Sequence, residues 1–105
     1  MIDEDPGMPD TVTTRLICFH HAGGSSAAFR ALTRALEPDI PVTAVNLPGR
    51  ESRFREPRHR DVYACATQLA DELSPLLNRP HVLLGHSMGA IIAYTIAQQR
   101  IAAFR

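Results

Sequence analysis

The fold is decided by one stretch of the chain, which reads H-V-L-L-G-H-S-M-G-A-I-I-A-Y-T-I-A over residues 81–97. It begins with a short apolar run, turns at G-H-S-M-G and continues as an apolar segment long enough for a helix. The turn matches G-x-S-x-G, which is weak by itself but informative where it joins a buried strand to a helix. Its glycines allow a tight turn that larger side chains would block. The stretch therefore predicts a strand, a nucleophile elbow and a helix. The alternative is a Gly-Ser-Gly turn that only caps the helix.

Two further units of strand and helix precede this stretch. Residues 16–19 and 42–47 hold apolar runs that end at glycine or proline, as expected of buried strands. Apolar residues at helical spacing follow each run, with Ser25, Ser26 and Asp61 placed to cap the helices. This alternation predicts an α/β fold with three parallel strands joined by crossover helices. If the third strand lies beside the first, the strand order is second-first-third, and the turns after these two strands meet at one edge of the sheet.

The turn after the first strand reads H-H-A-G-G over residues 20–24 and offers backbone N–H groups. Alone it is better explained as a plain connection between a strand and a helix. Together with the elbow it predicts half of an oxyanion hole, because such a hole takes one N–H from this turn and one from the residue after the nucleophile. The candidate site then consists of the nucleophile Ser87, the oxyanion donors Ala22 and Met88, and the elbow glycines Gly85 and Gly89.

Three motifs now stand in order: R-L-I-C-F-x-H-A-G-G from residue 15, N-L-P-G-R-E over 46–51 and L-L-G-H-S-M-G-A over 83–90. Together they resemble the type II thioesterases of nonribosomal peptide and polyketide synthesis, over about residues 15–100. The resemblance implies an α/β-hydrolase fold without a cofactor. It implies hydrolysis of acyl thioesters on the phosphopantetheine arm of acyl or peptidyl carrier proteins, an editing or housekeeping activity. Ser87 would accept the acyl group, and the backbone of Ala22 and Met88 would hold the oxyanion.

The chain departs from this family in two ways. His20 stands where the family commonly has proline, and we expect the loss of the fixed proline φ to loosen the turn. In α/β-hydrolases the acid and the histidine of the triad follow the nucleophile, yet no Asp, Glu or His follows Ser87 in this chain. We therefore expect the N-terminal part of a hydrolase, truncated and inactive alone, with an incomplete sheet. Residues 1–14 are expected to be a disordered lead-in, and 15–105 a partial thioesterase domain.

Two rival functions stay open. One is another serine esterase or an acyltransferase, which the elbow cannot distinguish from a thioesterase. The other is a non-catalytic remnant that binds carrier proteins, which the two missing triad residues favour. Residues 50–60 carry five Arg against two Glu. They form either a solvated loop or a contact surface for an acidic carrier protein, since guanidinium groups suit phosphate.

Composition excludes several other classes. The 11 basic and 11 acidic residues balance, which gives no reason to expect nucleic acid or an anionic membrane as partner. No apolar run approaches the roughly 18 residues needed to span a bilayer. Cys18 and Cys65 lie in separate apolar runs without a C-x-x-C pattern. They are predicted to be buried thiols in a cytoplasmic protein, and no metal site is expected.

Overall fold

The computed structural model of the chain describes residues 13–49, 53, 55–57 and 61–103. Most of the predicted lead-in, residues 1–12, lies outside this range. The strands are β1 (Arg15–Phe19), β2 (Val42–Val45) and β3 (His81–Gly85). The helices are α1 (Arg30–Leu36), which continues a 3-10 turn at Ser26–Phe29, then α2 (Val62–Glu72), the short α3 (Ser74–Leu77) and α4 (Met88–Ala103).

The three strands form one parallel sheet in the order β2-β1-β3. This is the predicted second-first-third order. The register places Phe19, at the end of β1, opposite Val45 on one side and Gly85 on the other. The carboxyl ends of all three strands therefore lie along one edge of the sheet. The turn after β1 and the elbow after β3 are neighbours there.

The main core lies on one face of the sheet, between the strands and helices α2 and α4. Ile17 and Phe19 share this face because strand side chains alternate, and both are fully buried. They pack in one cluster with Leu69 of α2 and with Ile92 and Ile96 of α4. This packing holds α4, and with it the residues that precede it, firmly against β1 and β3.

The helix ends follow the predicted signals. The Ser25 hydroxyl accepts a hydrogen bond from the Ala27 N–H at 3.3 Å, and the Asp61 carboxylate accepts one from the Tyr63 N–H at 2.9 Å. Helix α2 ends at Glu72, and Pro75 lies in the first turn of α3. Proline is tolerated there because its missing N–H would have had no helical partner.

Helix α4 is apolar nearly all round but is buried on one side only. Ile91, Tyr94 and Ile101 are 55%, 64% and 57% exposed. Within the described residues α4 is covered by β1, β3 and α2 on one side, so its outer face remains open. Among the described helices, none combines the length and apolar character needed to cross a membrane.

Candidate active site

Ser87 occupies the turn between the end of β3 and the start of α4. Its φ is 58°, and among the described residues it is the only non-glycine at positive φ. An L-residue in this left-handed region costs energy that the surrounding structure must supply. The side chain is exposed. The geometry is therefore that of the predicted elbow, with a strained serine presented at the edge of the sheet.

The glycines on either side of Ser87 leave no space for a side chain. A Cβ at Gly85 would collide with the backbone of Gly89 and Ala90. A Cβ at Gly89 would lie 2.6 Å from the carbonyl oxygen of His20, and closer still to the carbonyl of Phe19. Real Cβ contacts essentially never fall below 3.0 Å. Glycine is thus required at both positions, at the first by the tight turn and at the second by contact with the end of β1.

Helix α4 begins at Met88, directly after the serine. The N–H groups of Gly89 and Ala90 donate to the carbonyls of His86 and Ser87, both at 2.9 Å. Met88 is the first residue of α4, so its N–H has no partner within the helix. The positive end of the helix dipole lies at the same place. The position of Met88 is therefore compatible with the predicted donation to an oxyanion.

The turn after β1 adjoins the elbow. The His86 N–H donates to the Phe19 carbonyl at 3.1 Å, which ties the two turns together. The rings of His21 and His86 lie 5.2 Å apart, centroid to centroid, and are tilted by 47°. The His21 ring also covers Gly24, where a Cβ would come within 2.7 Å of Nδ1. These contacts give His21 a role in shaping the turn after β1 and show that His86 packs locally.

His20 behaves differently from its sequence-based prediction. Instead of loosening the turn, its ring is fully buried and links two segments. Nδ1 lies 2.7 Å from the His21 carbonyl oxygen, and Nε2 accepts the Leu47 N–H at 3.1 Å. With its basic nitrogen engaged in this way, His20 cannot take a proton from Ser87. Sequence reasoning missed this link, for which the only signal was a histidine at the end of a buried strand.

The loop after β2 holds the same turn at a second point. The Asn46 side-chain oxygen accepts the Ser26 N–H at 2.7 Å. Asn46 belongs to the N-L-P-G-R-E motif, but its pattern alone does not reveal this contact. The turn after β1 is thus attached to the segment after β2 at both of its ends.

Arg53 lies in the arginine-rich stretch that was considered as a contact surface for a carrier protein. Its guanidinium is instead bound within the chain. Its guanidinium makes five hydrogen bonds, one for each N–H that the group carries. Two go to Glu56, two to Glu72, and one to the Asn46 carbonyl at 3.2 Å. The hydrogen bond to Glu56 contributes most to raising the pKa of Arg53. Arg53 therefore joins the loop after β2 to α2, while Arg50, Arg58 and Arg60 of the same stretch lie outside the described residues.

The two cysteines, possible metal ligands and a groove in the surface were the other candidates, and none of them adds to the site at Ser87. Cys18 and Cys65 are buried and not joined in a disulfide, as predicted, and burial raises the pKa of Cys18. Among the described residues no cluster of three or more His, Cys, Asp or Glu could hold a metal ion. A groove of about 460 Å³ lies between Leu36, Leu16 and Val82. It opens near the amino ends of β1 and β3, far from Ser87.

Comparison with known proteins identifies relatives of this arrangement. The Thioesterase domain family model matches residues 14–102. Linear gramicidin dehydrogenase LgrE of Brevibacillus parabrevis is 40% identical over 89% of this chain and 35% of its own length. A probable cadicidin biosynthesis thioesterase of Streptomyces griseus is 39% identical over 88% of this chain and 25% of its own length.

A solved structure extends the likeness to the fold. The structure of RedJ, a thioesterase from the prodiginine biosynthetic pathway of Streptomyces coelicolor, superposes with a TM-score of 0.78 at 38% identity. The match covers 88% of this chain and 39% of RedJ. The chain thus spans 25% to 39% of the length of these three relatives.

Proposed function

Because the chain belongs to the thioesterase domain family, we propose that it supplies the nucleophile and the oxyanion donors of a type II thioesterase. The observation that carries the proposal is Ser87 at φ 58°, between β3 and α4, with no room for a side chain at Gly85 or Gly89. A helix cap alone would not need a strained serine flanked by two obligatory glycines. Residues 15–105 are proposed to form part of this domain.

The proposed chemistry is acyl transfer to the serine. Ser87 Oγ attacks the thioester carbonyl, its proton passes to a general base, and the C–S bond breaks as the thiol leaves. The N–H groups of Ala22 and Met88 stabilise the oxyanion of the tetrahedral intermediate. No Asp, Glu or His follows Ser87 in the chain, hydrogen bonds occupy both ring nitrogens of His20, and the rings of His21 and His86 pack against each other. We therefore propose that the chain alone reacts only slowly.

The substrate class is proposed to be an acyl or peptidyl group on the phosphopantetheine arm of a carrier protein. Support comes from the relatives described as biosynthetic thioesterases. The name of LgrE describes a dehydrogenase, but a dinucleotide site needs G-x-G-x-x-G after the first strand. The turn here reads H-H-A-G-G-S-S. We propose neither a nucleic-acid nor a membrane partner. Cys18 and Cys65 are buried and not joined in a disulfide, which fits the proposed cytoplasmic location.

Labelling with a fluorophosphonate probe tests the nucleophile. The chain is incubated with the probe for hours, and the modified residue is located by mass spectrometry. We expect slow labelling at Ser87, because oxyanion donors without a base leave only a residual ~10³–10⁴ over the reaction in water. Ser87→Ala should abolish the labelling. Ser74→Ala is the matched control, because Ser74 lies at the start of α3 and away from the elbow.

Labelling at another residue, or labelling that survives Ser87→Ala, would overturn the proposed nucleophile. The substrate class has its own assay, in which matched acyl thioesters and oxoesters of pantetheine compete for acylation of Ser87. A preference for the thioester supports the proposal. Equal or better reaction with the oxoester would favour a general serine esterase.

A further inference from the structure

The partners of His20 determine its protonation state. The ring is fully buried at the end of β1. Nδ1 lies 2.7 Å from the carbonyl oxygen of His21, and Nε2 lies 3.1 Å from the backbone nitrogen of Leu47. A carbonyl oxygen only accepts and a backbone N–H only donates. Nδ1 must therefore carry the proton while Nε2 remains bare, which assigns the neutral Nδ1–H tautomer.

The carbonyl that His20 contacts belongs to the peptide unit of the proposed oxyanion donor. The His21 oxygen accepts two hydrogen bonds, one from His20 Nδ1 at 2.7 Å and one from the Gly24 N–H at 3.0 Å. In a planar trans peptide the carbonyl and the following N–H point in opposite directions. The N–H that follows this carbonyl is that of Ala22. Holding the His21 oxygen therefore determines the direction in which Ala22 donates.

The other end of the His20 bridge is itself anchored. Leu47 is only 2% exposed and belongs to the main core. Its neighbour Asn46 binds the Ser26 N–H through its side chain, and Arg53 through its carbonyl. Arg53 in turn binds Glu72 on α2. The His20 ring thus connects the turn after β1 to the loop after β2, which is itself held by the core and by Arg53.

From this geometry we infer that His20 is a positioning residue for the oxyanion hole. Its ring holds the His21–Ala22 peptide so that the Ala22 N–H faces the edge where Ser87 lies. The role rests on the proposed function, because it matters for reactivity only if Ala22 is an oxyanion donor. His20 itself touches no substrate.

Two substitutions separate this role from a general contribution to stability. In His20→Asn the amide nitrogen lies as many bonds from Cα as Nδ1 and can donate to the His21 carbonyl. In His20→Gln the amide oxygen lies as many bonds from Cα as Nε2 and can accept the Leu47 N–H. Each variant keeps one of the two hydrogen bonds. A purely structural role of His20 therefore predicts a similar loss of labelling rate in both variants.

The readout is the fluorophosphonate labelling rate of Ser87 in the full chain, normalised to the folded fraction. We expect His20→Asn to label within a few-fold of the unsubstituted chain. His20→Gln should label about tenfold more slowly or worse, as part of the roughly 10²–10³ that losing an oxyanion donor costs. Equal rates in the two variants, beside Ser87-dependent labelling of the unsubstituted chain, would overturn the positioning role alone. Absence of Ser87-dependent labelling would overturn the proposed function and this role together.

A second measurement needs no substituted protein, so it tests the two hydrogen bonds of His20 even if a variant fails to fold. The ¹⁵N imidazole spectrum of the chain at neutral pH should show His20 with a protonated Nδ1 and an unprotonated Nε2. An Nε2–H tautomer or an imidazolium at His20 would overturn the inference, since neither can bridge the His21 carbonyl and the Leu47 N–H.

Discussion

Replacing Gly89 by alanine tests whether the elbow depends on close contact between α4 and the end of β1. The substitution has two opposing effects. In an ordinary helix interior, alanine is favoured over glycine by ~1 kcal/mol. At Gly89, however, the new Cβ would lie 2.5 Å from the Phe19 carbonyl carbon and 2.6 Å from the His20 oxygen. These atoms are backbone and cannot turn away, so either α4 or β1 must move.

The magnitude follows from the balance of these effects. Overpacking a tight site costs about 1–3 kcal/mol. Because the contacted atoms are backbone atoms at the end of the central strand and at the start of the turn after it, we take the upper end of that range. Subtracting the helix propensity leaves a net loss of ~2 kcal/mol, or about 30-fold in the folding equilibrium. Since β1 leads into the turn at His20, the displacement should also slow labelling of Ser87.

Chemical denaturation of the two proteins measures this loss directly. Gly23→Ala is the matched control, because a Cβ there meets nothing within 4 Å and the φ of Gly23 lies outside the left-handed region. We expect the control to retain the stability of the unsubstituted chain. If Gly89→Ala were as stable as the unsubstituted chain, or more stable, the required contact between α4 and β1 would be refuted.

Two further predictions concern α2. Burial raises the pKa of Glu72, but the hydrogen bonds from Arg53 and Gln68 and the charge of Arg53 together bring the folded pKa below its ordinary value of 4.5. The stability from this carboxylate is therefore complete above about pH 4.5 and is lost as the pH falls through the folded pKa. Melting temperatures between about pH 6 and pH 3 should thus fall more steeply for the unsubstituted chain than for Glu72→Gln, and parallel curves would contradict this linkage. Asp61→Ala removes the cap of α2 and should cost about 1 kcal/mol in denaturant unfolding, whereas Asp61→Asn keeps an oxygen acceptor and should cost almost nothing. Equal losses in these two variants would mean that the cap hydrogen bond does not stabilise α2.

Much of the fold could be predicted because its signals are local. The elbow depends on a glycine two residues before Ser87 and another two after it, and these are read directly from the chain. The cap at Asp61 and the end of α2 before Pro75 likewise depend on residues within one turn. The strand order followed from the need to bring the turn after β1 and the elbow after β3 together. Parallel strands meet this requirement when β3 lies beside β1. Which side of α4 packs was not predicted, since a helix that is apolar nearly all round does not show which of its sides the neighbours cover.

The sequence by itself determined the alternation of strands and helices, the strained turn at Ser87 and the two glycines that permit it. Only the tertiary structure decided how the turn after β1 is held. His20 meets the Leu47 N–H from 27 residues away, and Arg53 meets Glu72 from 19 residues away. A glycine or a helix cap acts within its own turn, so its effect can be predicted from the neighbouring residues. A hydrogen bond across the fold exists only when strand order and register bring both partners to one edge, and no local pattern records the distance between them.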